Sequence, residues 1–315
     1  MGLLEVFLGT LEVTLPVFAM VFVGLGLKRF GWIDQAFIST ASQLVFKGTM
    51  PALVFLSIIK ADLDATLNPR LLGFFALATL GSFLLSWGWA LLRVPYEERG
   101  VYVQGAFRGN GGIVALALAA GMYGDYGLSA GGLLLGVVIL AYNALSVIAL
   151  ASYQEGQRTD WRSIAVNIAR NPLILAVVVA VPVAALGLGL PGWLMTTGEY
   201  FASLTLPLAL ICIGATLSLG AIRSSGRLAT GASLMKMVTV PVLATAAAWL
   251  VGFEGRELGL LFLFFASPTA AASFVMVKAM GGNATLAANI IALTTLMASL
   301  TITLGVFGLK AAGLI

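Results

Sequence analysis

Long apolar runs separated by short polar breaks recur along the whole chain. They fall at about residues 7–27, 36–58, 71–92, 99–120, 128–152, 172–190, 200–220, 230–252, 257–279 and 284–308. Each approaches the roughly 20 residues that a helix needs to cross about 30 Å of hydrocarbon. The pattern predicts an all-α membrane protein of ten transmembrane helices, with no room for a soluble domain. The first lysine and arginine, Lys28 and Arg29, follow the first apolar run. That run therefore lacks the basic region of a cleavable signal and is expected to be a true span.

Composition strengthens this picture. The chain is 60% hydrophobic and 10% charged, against about 45–50% and about 25% in soluble domains. Its mean hydropathy is +1.03. When the breaks are assigned to alternate sides, one side collects Lys28, Arg29, Arg93, Arg99, Arg158, Arg162, Arg170, Arg223 and Arg227. The other collects only Lys60, Arg70, Arg256 and Lys310. The basic bias makes the first side cytoplasmic. The expectation is a multi-pass protein of the inner (plasma) membrane with both termini extracytoplasmic.

The longest polar stretch, SYQEGQRTDWRSIAVNIARN from Ser152 to Asn171, divides the chain. Residues 1–152 form a first five-helix unit, 153–171 a cytoplasmic linker, and 172–315 a second unit. The units echo each other. Gly31, Trp32 and Thr49, Met50, Pro51 have counterparts in Gly192, Trp193 and Thr205, Leu206, Pro207. A shift of 158 residues lays Phe107 on Phe265, Asn110 on Pro268, and Gly124, Asp125 on Gly282, Asn283. Five crossings per unit is an odd number, so the second copy enters from the opposite side, giving inverted repeats as in many secondary transporters.

The least helical residues sit in the middle of the fourth and ninth runs. FRGNGGIVALALAAG, Phe107 to Gly121, opens with Arg108, Gly109, Asn110, Gly111 and Gly112. Counting from Arg99 at 1.5 Å per residue, Asn110 lies ~16 Å along, near the bilayer midplane. The ninth run carries Ser267, Pro268 and Thr269 at the corresponding depth. Glycine permits unwinding, proline removes an intrahelical hydrogen bond, and Asn, Ser and Thr can satisfy freed backbone or a ligand. Unwound backbone inside a membrane is tolerated where it is buried or lines a cavity. Broken helices at matched positions thus point to a midplane site whose helix N-termini favour an anion. The bland alternative is that the glycines only allow close packing and Pro268 only kinks its helix.

Charge within the runs has one dominant sign. Run-terminal residues aside, Lys47, Arg108, Lys236 and Lys278 fall inside them, against Glu12 alone. Arg108, beside the break, is expected to face the cavity or a partner, because an arginine at a helix centre costs about 2.5–3.5 kcal/mol. Lys47 is a weaker candidate for the same role. Lys236 and Lys278 lie nearer span ends, where reaching toward the interface explains them. The central runs have no carboxylates, which argues against a cation exchanger. With no histidine and one cysteine, Cys212, neither a Cys/His metal site nor a disulfide is expected, and no cofactor is called for. No basic run is long enough to follow nucleic acid. An intramembrane enzyme lacks its usual groups: Ser267 has no evident base, and Ser273 and Lys278 do not share a helix face.

Taken in order, GLGLKRFGWID, LVFKGTMPAL, AFRGNGGIVALAL, NPLIL, PLALICIGATL and ASPTAAASFVMVKAMGG resemble the auxin efflux carrier superfamily, which includes bacterial malate and malonate carriers and plant auxin exporters. The resemblance runs nearly end to end. It implies two inverted five-helix repeats with broken crossover helices 4 and 9, as in bile-acid symporters and sodium–proton antiporters. It also implies scaffold helices at about 7–58 and 172–220 and transport helices at about 71–152 and 230–308. Family members hold small organic carboxylates at the crossing, move them by an elevator motion, and are often homodimers. By motif, Asn110 matches the crossover asparagine and Pro268 the crossover proline. Lys278 matches a family lysine, and Thr49, Tyr142 and Asn143 match flanking binding contacts. The resulting candidate site is Asn110, Arg108, Gly109, Gly111, Gly112, Ser267, Pro268, Thr269, Ser273, Thr49, Tyr142, Asn143 and Lys278. The absence of a long cytoplasmic loop, and of proline before Asn110, favours a bacterial-type mono- or dicarboxylate over auxin. The competing readings are a sodium-coupled bile-acid-type symporter and a sensor that binds without transporting.

Overall fold

The computed structural model describes residues 2–60, 68–153, 166, 169–217, 220 and 226–315. Most of the expected linker, with Arg158 and Arg162, lies outside these residues, as does Arg223. The described residues are helical almost throughout. Seven of their helices are long and apolar enough to cross a membrane.

Helix α1 is Leu3–Arg29 and ends on its own basic residues, Lys28 and Arg29, which suit the negative end of a helix dipole. α2 covers Gln35–Lys60. It is capped by Asp34, whose carboxylate accepts from the Phe37 amide at 2.7 Å, and is widened by a π-turn at Val45–Thr49. α3 is Pro69–Arg93, started by the Asn68 side chain and a proline at the first turn. After Arg99–Phe107 (α4a) the chain breaks, then resumes as Gly111–Ala151. Within that stretch Gly124 has φ 55° and ψ −132°. This is a conformation that residues with a Cβ resist, and it divides the stretch into α4b (111–123) and α5 (125–151).

The second half repeats these devices. α6, Pro172–Ala185, uses Asn171 as cap followed by proline. α7 is Gly192–Thr216 and α8 is Arg227–Val251, the latter with a π-turn at Met235–Thr239. Gly255–Ala266 (α9a) and Ala272–Ala279 (α9b) flank the second break. α10 is Ala284–Ala311, capped by Asn283. The expected runs locate these elements well, apart from α7, which starts at Gly192 rather than about 200. Thr196, Thr197 and Glu199 hide its first turns from a hydropathy reading, yet the segment is helical and Glu199 pairs there with Lys60.

Two packing groups emerge. α1 lies along α7, and the second part of α2 along α6. The α1–α7 contact depends on small residues: a Cβ on Gly24 would overlap the Ile211 carbonyl, and one on Gly214 the Val21 carbonyl. In the other group, α3 packs on α4a as α8 packs on α9a. Likewise α4a meets α10 as α9a meets α5. An aromatic chain ties α3 to both breaks. Phe75 stands 4.9 Å from Phe265, Phe83 stands 5.1 Å from Phe107, and Phe107 stands 5.5 Å from Tyr142, ring centre to ring centre.

Candidate functional site at the helix crossing

Both interruptions exist, and they touch. α4a ends at Phe107, and residues 108–110 leave the helical conformation. Gly109 forms an isolated antiparallel bridge with Thr269. The Asn110 amide donates to the Pro268 carbonyl at 2.7 Å, and the Ala270 amide to the Arg108 carbonyl at 3.3 Å. Gly109 is required by proximity: a Cβ there would stand 2.5 Å from Ser267 Oγ and 3.1 Å from Lys236 Nζ.

Stopping two helices inside the protein strands their last carbonyls, which need donors. Thr269 Oγ1 donates to the Gly105 carbonyl at 2.7 Å, Ser267 Oγ to Phe264 at 2.8 Å, and Lys236 Nζ to Phe265 at 2.8 Å. The Thr269 amide is itself held by Thr294 Oγ1 at 3.1 Å. The hydroxyls of Ser267 and Thr269 thus face backbone rather than open space. Lys236 corrects the sequence expectation. Instead of reaching for an interface it is fully buried at the crossing. Its helix carries it there at a π-turn, and the end of α9a offers its ammonium a partner.

The opposite face of the crossing presents donors. In α4b the first amides bonded to backbone are Val114 and Ala115, both to the Asn110 carbonyl, so those of Gly111, Gly112 and Ile113 have no partner among the described residues. In α9b the amides of Ala271 and Ala272 are likewise unpartnered, since bonding begins with Ser273 to Ala270. These segments line a cavity of about 500 Å³ whose other walls are Met50 of α2, Leu135, Val138, Tyr142 and Asn143 of α5, and Ala209, Cys212 and Ile213 of α7. The cavity extends to Ser42, Asn171 and Thr216. Asn110 borders it, and no hydrogen bond engages its side-chain amide among the described residues.

Arg108 supplies the charge. Its side chain is 8% exposed; Nη2 donates to Asn143 Oδ1 at 3.1 Å and Nη1 to Ser146 Oγ at 3.3 Å, with Met276 Sδ also against Nη1. Its Nε has no partner among the described residues. Among the described residues no carboxylate pairs with it; the ion pair found there is Lys60–Glu199, at the surface. A guanidinium buried in apolar walls beside five unpartnered amides makes the cavity receptive to an anion.

The structure therefore gathers Arg108, Gly109, Asn110, Gly111, Gly112, Tyr142 and Asn143 around one cavity. Ser267, Pro268 and Thr269 form the crossing behind it. Thr49 and Ser273 are buried, their hydroxyls without a partner among the described residues, but do not border the cavity. Lys278 is exposed on the last turn of α9b and is not brought to the site, and Lys47 is exposed as well.

A family of membrane transport proteins matches residues 10–161 and 160–306. The chain belongs to this family of membrane transport proteins, the auxin efflux carrier family. Among its relatives is an uncharacterized transporter of Methanocaldococcus jannaschii, 23% identical over 93% of this chain and 97% of the relative. Another, from Methanothermobacter thermautotrophicus, is 25% identical over 86% of this chain and 89% of the relative.

Proposed function

We propose that the protein is a secondary active transporter of small organic anions, mono- or dicarboxylates of the malate and malonate type. Substrate is held where the broken helices cross and is moved by an elevator-type exchange of access. The observation that carries this reading is the buried Arg108 guanidinium, without a carboxylate partner among the described residues, facing the same cavity as the unpartnered amides of α4b and α9b. A carboxylate satisfies the unpaired charge and the open donors together.

Ten crossings in two inverted repeats suit the helices described. Five unbroken helices, the short α6, the two broken pairs, α5 beyond Gly124 and α10 supply ten segments. The exchange of contacts between halves, α3–α4a for α8–α9a and α4a–α10 for α9a–α5, supports the repeat. In this reading α1, α2, α6 and α7 are the scaffold and the remaining helices the moving body. The basic bias then puts the Asn171 and Thr216 end of the cavity on the cytoplasmic side, so this conformation is open inward. A homodimer in the plasma membrane, without cofactor or metal, fits the family.

The test is counterflow of radiolabelled malate and malonate in proteoliposomes, alongside a thermal-shift screen of small carboxylates. A ligand at 100 times its Kd adds about 2.7 kcal/mol of stability. Arg108→Ala is expected to reduce counterflow at least tenfold while the protein stays folded. Stabilisation without counterflow would replace transport by sensing. Loss of counterflow when choline replaces sodium would favour a sodium-coupled symporter.

A further inference from the structure

The crossing has two faces, and the site just described uses one. The other is made of the stranded carbonyl ends of α4a and α9a, which carry partial negative charge. Serine and threonine hydroxyls satisfy the Phe264 and Gly105 carbonyls, whereas the Phe265 carbonyl receives a full positive charge, the ammonium of Lys236. Lys236 is fully buried, its Nζ lies 3.1 Å from where a Cβ on Gly109 would stand, and no acidic residue pairs with it among the described residues. Neutral hydroxyls satisfy the neighbouring carbonyls, so hydrogen bonding alone does not call for an ion here. A stranded helix-end carbonyl such as that of Phe265 is also the hard oxygen donor that a small monovalent metal ion takes. The π-turn at Met235–Thr239 marks a departure from regular helix at this point, as happens often at functional sites.

We propose that the Lys236 ammonium is a covalently tethered cation. It fills the position of a coupling ion on the carbonyl face of the crossing, holds the two breaks together, and makes occupancy of the anion face independent of any dissolved cation. Lys236 is thus a positioning residue, acting on substrate through the Phe265 carbonyl and the bridged backbone at Gly109 and Thr269. Its removal leaves a small buried cage beside the Phe265 carbonyl with the positive charge gone, which a free cation of matching size should enter.

The test uses full-length Lys236→Ala and Lys236→Met, the second retaining side-chain bulk without charge. Melting is measured in N-methylglucamine chloride and after exchange to sodium, lithium, potassium or ammonium chloride at constant ionic strength. Wild type is expected to melt at one temperature in all five. Lys236→Ala should melt several degrees lower in N-methylglucamine and recover at least half the loss in ammonium or one of the small metal ions. Lys236→Met, its cage filled, should show no recovery. This arm needs no carried substrate, so it stands or falls separately from the transport reading. The counterflow arm rests on that reading: Lys236→Ala should lose at least tenfold in N-methylglucamine, with the same cation restoring it. A Lys236→Ala protein that is as stable as wild type, or that is weakened equally in every salt, overturns the proposal; the second outcome would make Lys236 a packing residue only.

Discussion

The two breaks occupy equivalent places in the two halves, yet they use their side chains in opposite ways. In the first, Arg108 and Asn110 turn toward the cavity, and Gly111 and Gly112 leave their amides open. In the second, Ser267 and Thr269 spend their hydroxyls on backbone carbonyls, and Pro268 contributes its carbonyl to the Asn110 amide. In the proposed reading, duplication supplied two similar crossing strands, and divergence made one a reader of ligand and the other a brace. The lesson concerns hydroxyls beside helix breaks: wherever carbonyls are stranded in a dry interior, nearby hydroxyls are claimed by them first.

The largest effect is expected at the point where the two breaks touch. Gly109→Ala forces a Cβ against Ser267 Oγ and toward Lys236 Nζ. It should destabilise the protein by about 3 kcal/mol, the upper range for overpacking, and abolish carboxylate-induced thermal shift; an unchanged melting temperature would refute the tight crossing. A sharper division comes from paired substitutions. Asn110→Ala should weaken carboxylate binding about tenfold, roughly 1.4 kcal/mol, with little change in melting. Ser267→Ala should do the reverse. It orphans the Phe264 carbonyl, destabilises by about 1–3 kcal/mol, and leaves affinity within twofold. Calorimetry of ligand binding beside thermal melts of each variant distinguishes them, and identical behaviour would dissolve the division between reader and brace. The smallest effect is expected at Lys278→Ala, whose exposed side chain lies away from the cavity. Both stability, within about 0.5 kcal/mol, and affinity should hold.

Much of this was legible in the chain itself because membrane helices announce their length and their defects. Glycines at 109, 111 and 112 and proline at 268, offset by the same interval that relates Phe107 to Phe265, identified both breaks. Arg108 stood out because a charge at that depth demands a reason. Two things were hidden. The register of Lys236 depends on its place at a π-turn and on where α9a ends, and periodicity carries neither. The direction of the Ser267 and Thr269 hydroxyls depends on carbonyls that become stranded only after the helices stop. The division of the fourth and fifth segments at Gly124 was legible as well, since it falls between the expected runs 99–120 and 128–152. Lys278 shows the converse: a matching motif placed it among the candidates, but its helix turns it outward.

Cys212 is the sole thiol of the chain, and it stands on the α7 wall of the cavity, across from the crossing. The protein therefore carries a built-in attachment point for an alkylating dye, with no background cysteines to remove. Reaction speed at that one sulfur would report, in the native protein, how often the chamber is unroofed and whether an occupant shields it.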